Sequence, residues 1–358
     1  MMVDCKMIED KTFCASSYLM YRTLHTVDGS RYCFDKKYLP NLWYNTNKRI
    51  GVCNGTELIQ YLMERIPEMC KSRKVALALS GGIDSALLAK FMPKGSLAYT
   101  FKCVVPGMQV TDESVQAARY AKECGLEHKV IEIYWEDFLQ FTPSLMQHKG
   151  APIHSIEVQI YKAALQAKAD GCDTIIFGES ADLNYGGLSG LLSKDWTVGE
   201  FIDRYSYVKP YAVLREFCLP IEPITKYEKN DLIDVHEFNR GFFMSEAMGS
   251  YSNACELANI QLFTPYAETF LSLPLDIQRI RSGENKYVIR EAFEAMYPVG
   301  WTIPPKTPMP RPMNEWMGKW DGPKRSDFYE NCTIEMTGDQ KWMVWCLESF
   351  LNMIEEKK

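Results

Sequence analysis

The sequence predicts an α/β protein built on a parallel sheet, and three observations predict it. From Lys74 onward, short apolar runs rich in β-branched residues alternate with amphipathic stretches of helical period. The first such run, residues 75–79, stops at Ser80-Gly81-Gly82, the kind of turn that hands a buried strand to a helix. A chain of 358 residues, 46% hydrophobic and 24% charged, is also long enough to bury a large core.

The elements follow in order. Up to about residue 70 the chain reads as a small β-rich unit. In "SYLMYRTLHTVDGSRYCFD", Asp28-Gly29 stands between two apolar, aromatic-rich runs, a hairpin signal. Residues 56–70 form an amphipathic helix with Thr56 as N-cap and Leu58, Leu62 and Ile66 on its inner face. A strand at 75–79, a helix at 83–91 and a strand at 97–104 come next. The helix predicted at 112–124 carries Val115, Ala118 and Ala121 at core spacing and ends at Gly125. A strand at 129–133, a helix at 155–169 and a strand at 173–177 complete the pattern. Such βαβα order implies a parallel sheet covered on both faces, with ligands at the carboxyl ends of the strands. From about Trp196 the chain reads as mainly helical, broken by "IPPKTPMPRPMNEW", whose five prolines forbid regular helix. The expected division is a hairpin-containing unit at 1–70, a sheet domain at 71–195 and a helical part at 196–358.

Composition excludes several function classes. A net charge of −6 gives no global field for nucleic acid. No apolar run approaches the ~20 residues that cross a bilayer, so no membrane partner is expected. The segment Met1-Met2-Val3-Asp4-Cys5-Lys6 has no signal-peptide core, and a cytoplasmic protein with reduced thiols is expected. None of the twelve cysteines forms a Cys-x-x-Cys pair, and the five histidines show no metal-binding spacing.

The chemistry concentrates in three segments. In Ser80-Gly81-Gly82-Ile83-Asp84-Ser85 the glycines let an anion approach the main chain, and the serines offer hydroxyls. Asp84 would repel a phosphate unless a divalent cation such as Mg²⁺ lay between them. Neither a G-x-x-x-x-G-K-[ST] nor a G-x-G-x-x-G motif is present. The strand at 173–177 runs into "FGESADLNYGG", which opens on the same sheet edge. There Asp182 is the natural second carboxylate for that cation, and Glu179 is an acid/base or orienting candidate. In "RSGENKYVIREAF", Lys286 begins a helix marked by Val288, Ala292 and Met296, with Arg290 on the same face. A cation at the positive end of a helix dipole wants an anion in front of it.

Ser-Gly-Gly-x-Asp-Ser is the signature of the PP-loop ATP pyrophosphatases. Together with Gly178–Leu188 and "KYVIREAF" from Lys286 to Phe293, it makes residues 72–310 resemble the synthetase domain of the asparagine synthetase family, which includes β-lactam synthetases. The resemblance implies an AMP-forming ligase that adenylates a small-molecule carboxylate with ATP and Mg²⁺ and passes it to ammonia or an amine. It implies Asp84 and Asp182 on the metal, pyrophosphate in the turn of Ser80, Gly81, Gly82 and Ser85, and adenosine held by main-chain groups of Leu79, Phe101 and Gly178. It further implies Lys286 facing developing charge, Glu179 handling the amine proton, and Lys306 in a covering loop. The chain departs from the family at Met2, where glutamine-dependent members carry a cysteine, at Leu183 in place of an acid, and at Pro265-Tyr266-Ala267-Glu268 in place of Pro-Phe-Leu-Asp. The expected nitrogen source is therefore free ammonia, an amine or a separate glutaminase subunit. A specialised carboxylate is expected ahead of aspartate. A sulfur-transfer or tRNA-modifying enzyme and an inactive nucleotide-binding regulator are the alternatives, and a homo-oligomer is left open.

Overall fold

A computed structural model describes residues 7–24, 26–27, 30–41, 49–305 and 309–355. Its centre is a five-stranded, all-parallel sheet in the order Gln261–Phe263, Thr174–Ile176, Val75–Ala78, Leu97–Cys103, Glu127–Ile133. Alternate residues of one strand enter opposite cores, as the pleat demands. Ala76 and Ile175 join the core that also contains Phe138, Trp342 and Phe350. Val75, Leu77 and Ile176 join the one containing Leu58, Phe263 and Phe293. Leu77 has no exposed surface, and such burial stabilises by about 1.5–3 kcal/mol.

The predicted sheet elements are present. The Gln261–Phe263 strand at one edge was not predicted, because its three residues are too short to show a period. The helix Trp135–Lys149 was also missed: Pro143 lies inside it and its buried residues do not repeat cleanly. In the helix Ser114–Cys124 the buried face is Ala117, Tyr120 and Ala121; Val115 and Ala118 are exposed. The predicted face was rotated because Tyr120, whose polar tip disguised it, is fully buried. Gly125 does end this helix, in the left-handed conformation at φ 69°.

The N-terminal region corrects another expectation. The first apolar run of the expected hairpin belongs to a helix, Lys11–Tyr21, capped by the Asp10 side chain on the Phe13 N–H. Its residues are buried from Cys14 to Tyr21, so no alternation could mark it. The strands Thr26–Val27 and Ser30–Cys33 pair antiparallel; Asp28 and Gly29 lie outside the described residues. The next helix, Gly55–Ser72, is capped by Asn54, whose side chain accepts from Glu57 N–H, rather than by Thr56. Just before it, Ile50–Val52 pairs in parallel with Thr269–Leu271, and Gly55–Ser72 packs on the helix Tyr287–Met296. Among the described residues no helix is long and apolar enough to cross a membrane.

Candidate active site

The turn after Val75–Ala78 is braced from within. Ser80 N–H donates to Ser85 Oγ at 2.9 Å, and Gly82 N–H donates to Ser80 Oγ at 3.2 Å. Both hydroxyls, expected to face a ligand, are thus engaged in shaping the turn. Gly81 N–H donates to Glu113 Oε2 at 3.3 Å. A carboxylate at this position shows the turn attracting an anion. Burial raises the pKa of Glu113, against the opposing pull of the Gly81 N–H. Glu113 sits in the first turn of the helix predicted at 112–124, where an acid is unremarkable, and it was missed.

Two acids more than ninety residues apart in sequence meet at this edge. Lys286 Nζ lies 3.0 and 2.7 Å from the two carboxylate oxygens of Asp84 and 3.0 Å from Asp182 Oδ1. Lys286 is 6% exposed, and a charge so deeply buried needs such partners. Burial pulls its pKa down, but Asp84 and Asp182 outweigh that pull and hold it above the ordinary lysine value. In this structure the groups that Lys286 faces are these two carboxylates. It stands just before the helix Tyr287–Met296, at φ 52°, a left-handed backbone that costs a non-glycine residue roughly 1–2 kcal/mol. Arg290 steadies it, donating to Asn285 O at 2.7 Å and Asn285 Oδ1 at 2.8 Å.

The segment 177–187 supplies the opposite wall. Ser180 has φ 72°, and its N–H donates to Glu179 Oε1 at 2.9 Å. Glu179 also bonds the hydroxyl of Tyr251. Burial, against the Ser180 N–H and with help from Asp182, pushes the Glu179 pKa up to about 6. A Cβ at Gly187 would lie 1.9 Å from Asp182 Oδ1, so only glycine leaves that carboxylate where it is.

These groups line a cavity of about 450 Å³, together with Leu79, Phe101, Gly178 and the proline-rich residues Ile303–Pro305, Met309 and Pro310. Leu79 N–H already donates to Tyr99 O, and its carbonyl accepts from Thr100 Oγ1 at 2.6 Å. Its main chain therefore retains only a carbonyl lone pair for a ligand. Lys306 lies outside the described residues. Tyr266, from the departing 265–268 segment, was missed: its hydroxyl donates to Asp84 O at 2.9 Å.

The residues fit a hard divalent cation. Two carboxylates, Asp84 and Asp182, already share one positive charge, and oxygen donors suit Mg²⁺. Among the described residues no group of three or more His, Cys, Asp or Glu could hold a metal.

The family model described as asparagine synthase matches residues 67–259. No curated protein matches the chain. Among solved structures, the chain is similar to an NMN synthetase from Francisella tularensis, at 19% identity and TM-score 0.28, over 38% of this chain and 60% of that one. It is similar to an NH₃-dependent NAD synthetase from Campylobacter jejuni, at 19% identity and TM-score 0.26, over 38% and 61%. The U34-tRNA thiolase NcsA from Methanococcus maripaludis, with its 4Fe-4S cluster, is similar at 14% identity and TM-score 0.30, over 84% and 80%. The chain thus spans about three fifths of the two synthetases, and likenesses at these scores carry no weight for function.

Proposed function

The chain belongs to the asparagine synthase family, and on that premise we propose that it is an ATP-dependent, AMP-forming ligase joining a specialised carboxylate to ammonia or an amine. The observation that carries this reading is the convergence of Asp84, Asp182 and Lys286 within 3.0 Å, on the cavity that also takes in Glu179 and the glycine turn. In the proposed reaction the acid's carboxylate oxygen attacks the α-phosphorus of ATP as the α–β bridging bond breaks, giving an acyl-adenylate and pyrophosphate. The nitrogen nucleophile then attacks the acyl carbon, AMP leaves with the C–O bond's electrons, and the nitrogen gives up a proton.

Each residue has a physical task in this scheme. The glycine turn receives the pyrophosphate on its N–H groups, and the Glu113 carboxylate must give up Gly81 for that to happen. Asp84 and Asp182 would hold Mg²⁺, which when bound offsets the charge of the departing pyrophosphate. Lys286, poised beside both carboxylates, supplies a fixed positive charge where negative charge develops. Glu179, with its pKa near 6, is largely ionised at neutral pH and can take the nucleophile's proton.

The test is incubation with ATP, Mg²⁺, ammonium and a panel of small acids, reading pyrophosphate release and new amides by mass spectrometry. Release that requires an acid and yields its amide is expected. Release only with tRNA, or none with any acid, overturns the reading. Replacing Lys286 by Ala should lower amide formation by about 10²-fold or more while nucleotide still binds.

A further inference from the structure

Among the described residues that line the cavity, two carry positive charge, Lys286 and Arg290, and the fold treats them differently. Lys286 is held between Asp84 and Asp182. Arg290 has no carboxylate within ion-pair distance among the described residues; its bonds all go to Asn285. Glu284 feels the charge of Arg290, but its two oxygens are taken by Arg279 at 2.7 and 2.6 Å. The two arginines that precede it, Arg279 and Arg281, are both ion-paired. The reaction scheme so far gives Arg290 no anion.

Its guanidinium is fixed in place and only half engaged. Nε donates to Asn285 O at 2.7 Å and Nη2 to Asn285 Oδ1 at 2.8 Å. A guanidinium has five N–H donors and no acceptor. Asn285 takes the side-on edge, which leaves both donors of Nη1 and the second of Nη2. Together these form the end-on fork, the shape that grips two oxygens of one anion. The residue is half-buried, and Nη1 is not among the buried atoms that lack a partner, so it keeps accessible surface. Asn285 already fixes the side chain, so little further freedom is lost when an anion binds.

Two kinds of anion enter this cavity in the proposed reaction, the phosphates of the nucleotide and the carboxylate of the acid. The layering of the fold separates them. Tyr251, which bonds Glu179, lies with Phe177 and Met309 in the core on one face of the sheet. Ile83, Ile303 and the helix of Arg290, through Val288, Ile289 and Phe293, lie in the core on the other. That second face is also the face of the glycine turn. The helix Tyr287–Met296 packs on the helix Ile83–Ala89, which the turn begins. Glu113, the acid now on Gly81 N–H, heads a helix whose Ala117, Tyr120 and Ala121 join the same core. We propose that Arg290 is a binding residue for the β and γ phosphates of ATP and holds them as pyrophosphate once the α–β bond has broken, while the acid lies on the Glu179 side. The inference rests on the ligase reading and adds a means of telling nucleotides apart: ATP brings phosphates to the Arg290 fork, and AMP leaves it empty.

The test uses the full-length protein and calorimetric titration, in Mg²⁺, with ATP, AMP and inorganic pyrophosphate. In Arg290→Gln the affinity for ATP and for pyrophosphate should fall about 10- to 100-fold, the scale of lost hydrogen bonds to a charged group, while that for AMP stays within about two-fold of wild type. Arg290→Lys keeps the charge without the fork, so it should lose about three-fold or more for ATP and pyrophosphate with AMP again unchanged. The lysine variant decides the question if the glutamine variant does not fold. An equal loss for AMP and ATP means that Arg290 only props Asn285 and Lys286, and it overturns the assignment. Unchanged affinity for ATP overturns it too, and a raised KM for the acid would then place Arg290 on the acid instead. Both results leave the ligase reading intact. Wild-type protein that binds no ATP overturns both.

Discussion

Lys286 is where the cost and the use of the site meet. A left-handed backbone, a buried ammonium and a helix N-terminus are each unfavourable for a lysine, and two carboxylates on other elements offset all three. Glu179 is the complementary case, a carboxylate whose folded-state pKa of about 6 lies above its ordinary 4.5. The folded protein therefore binds this proton more tightly than the unfolded chain does. Its contribution favours folding at low pH and is withdrawn as pH rises from about 4.5 to about 6. Activity has the opposite sign: if the ionised form is the base, kcat/KM should rise through pH near 6 and level above it. In Glu179→Gln that limb should disappear, and a pH–rate profile checks it. Gly187→Ala should push Asp182 aside and weaken Mg²⁺-dependent nucleotide binding by about ten-fold or more, measured by calorimetry, with nucleotide binding in EDTA little changed.

The short helical turn Pro265–Glu268 shows how an element reaches a distant site. Tyr266 donates to Asp84 O, while Asn184, on the same short helix as Asp182, donates to Tyr266 O at 2.6 Å. Glu268 accepts from Tyr61 at 2.6 Å and from Arg65 at 2.8 and 3.1 Å, both on the helix Gly55–Ser72. Read as sequence, this departure from Pro-Phe-Leu-Asp pointed to a changed acceptor pocket. In the fold it is a strut joining Asp84 and Asp182 to the helix Gly55–Ser72. Tyr266→Phe removes the hydrogen bond to Asp84 O, a cost of roughly 0.5–1.5 kcal/mol. It should lower Tm and raise the Mg²⁺ concentration for half-maximal nucleotide binding; a fall in Tm with unchanged Mg²⁺ dependence would make the strut purely structural.

Across the molecule, the site is assembled from the glycine turn, the 177–187 segment, the helix at 287–296 and the residues Ile303–Pro305, Met309 and Pro310, all gathered at the carboxyl edge of one sheet. A ligand bridging so many segments should stabilise the whole fold. At a nucleotide concentration of about 100 Kd the gain is about 2.7 kcal/mol, visible as a rise in Tm with ATP and Mg²⁺. Replacing Asp84 and Asp182 together by Asn should abolish the Mg²⁺-dependent part of that rise.

The strand–turn–helix around Ser80-Gly81-Gly82, the βαβ alternation and the three separated motifs were legible in the linear order of residues, because each depends on neighbours within about one turn of chain. So was the demand of Lys286 for an anion. The rest required the fold. Glu113, Tyr251 and Tyr266 carry no local signal, since their partners lie 32, 72 and 182 residues away. The helix Lys11–Tyr21 hid its period because every residue from Cys14 to Tyr21 is buried, leaving no exposed face there to contrast with. Arg22, His154 and Glu246 are ordinary polar residues in the sequence, and only the packing of three separate segments desolvates them together. Local chemistry is written in the order of residues, whereas burial and long-range pairing exist only once the chain has closed on itself.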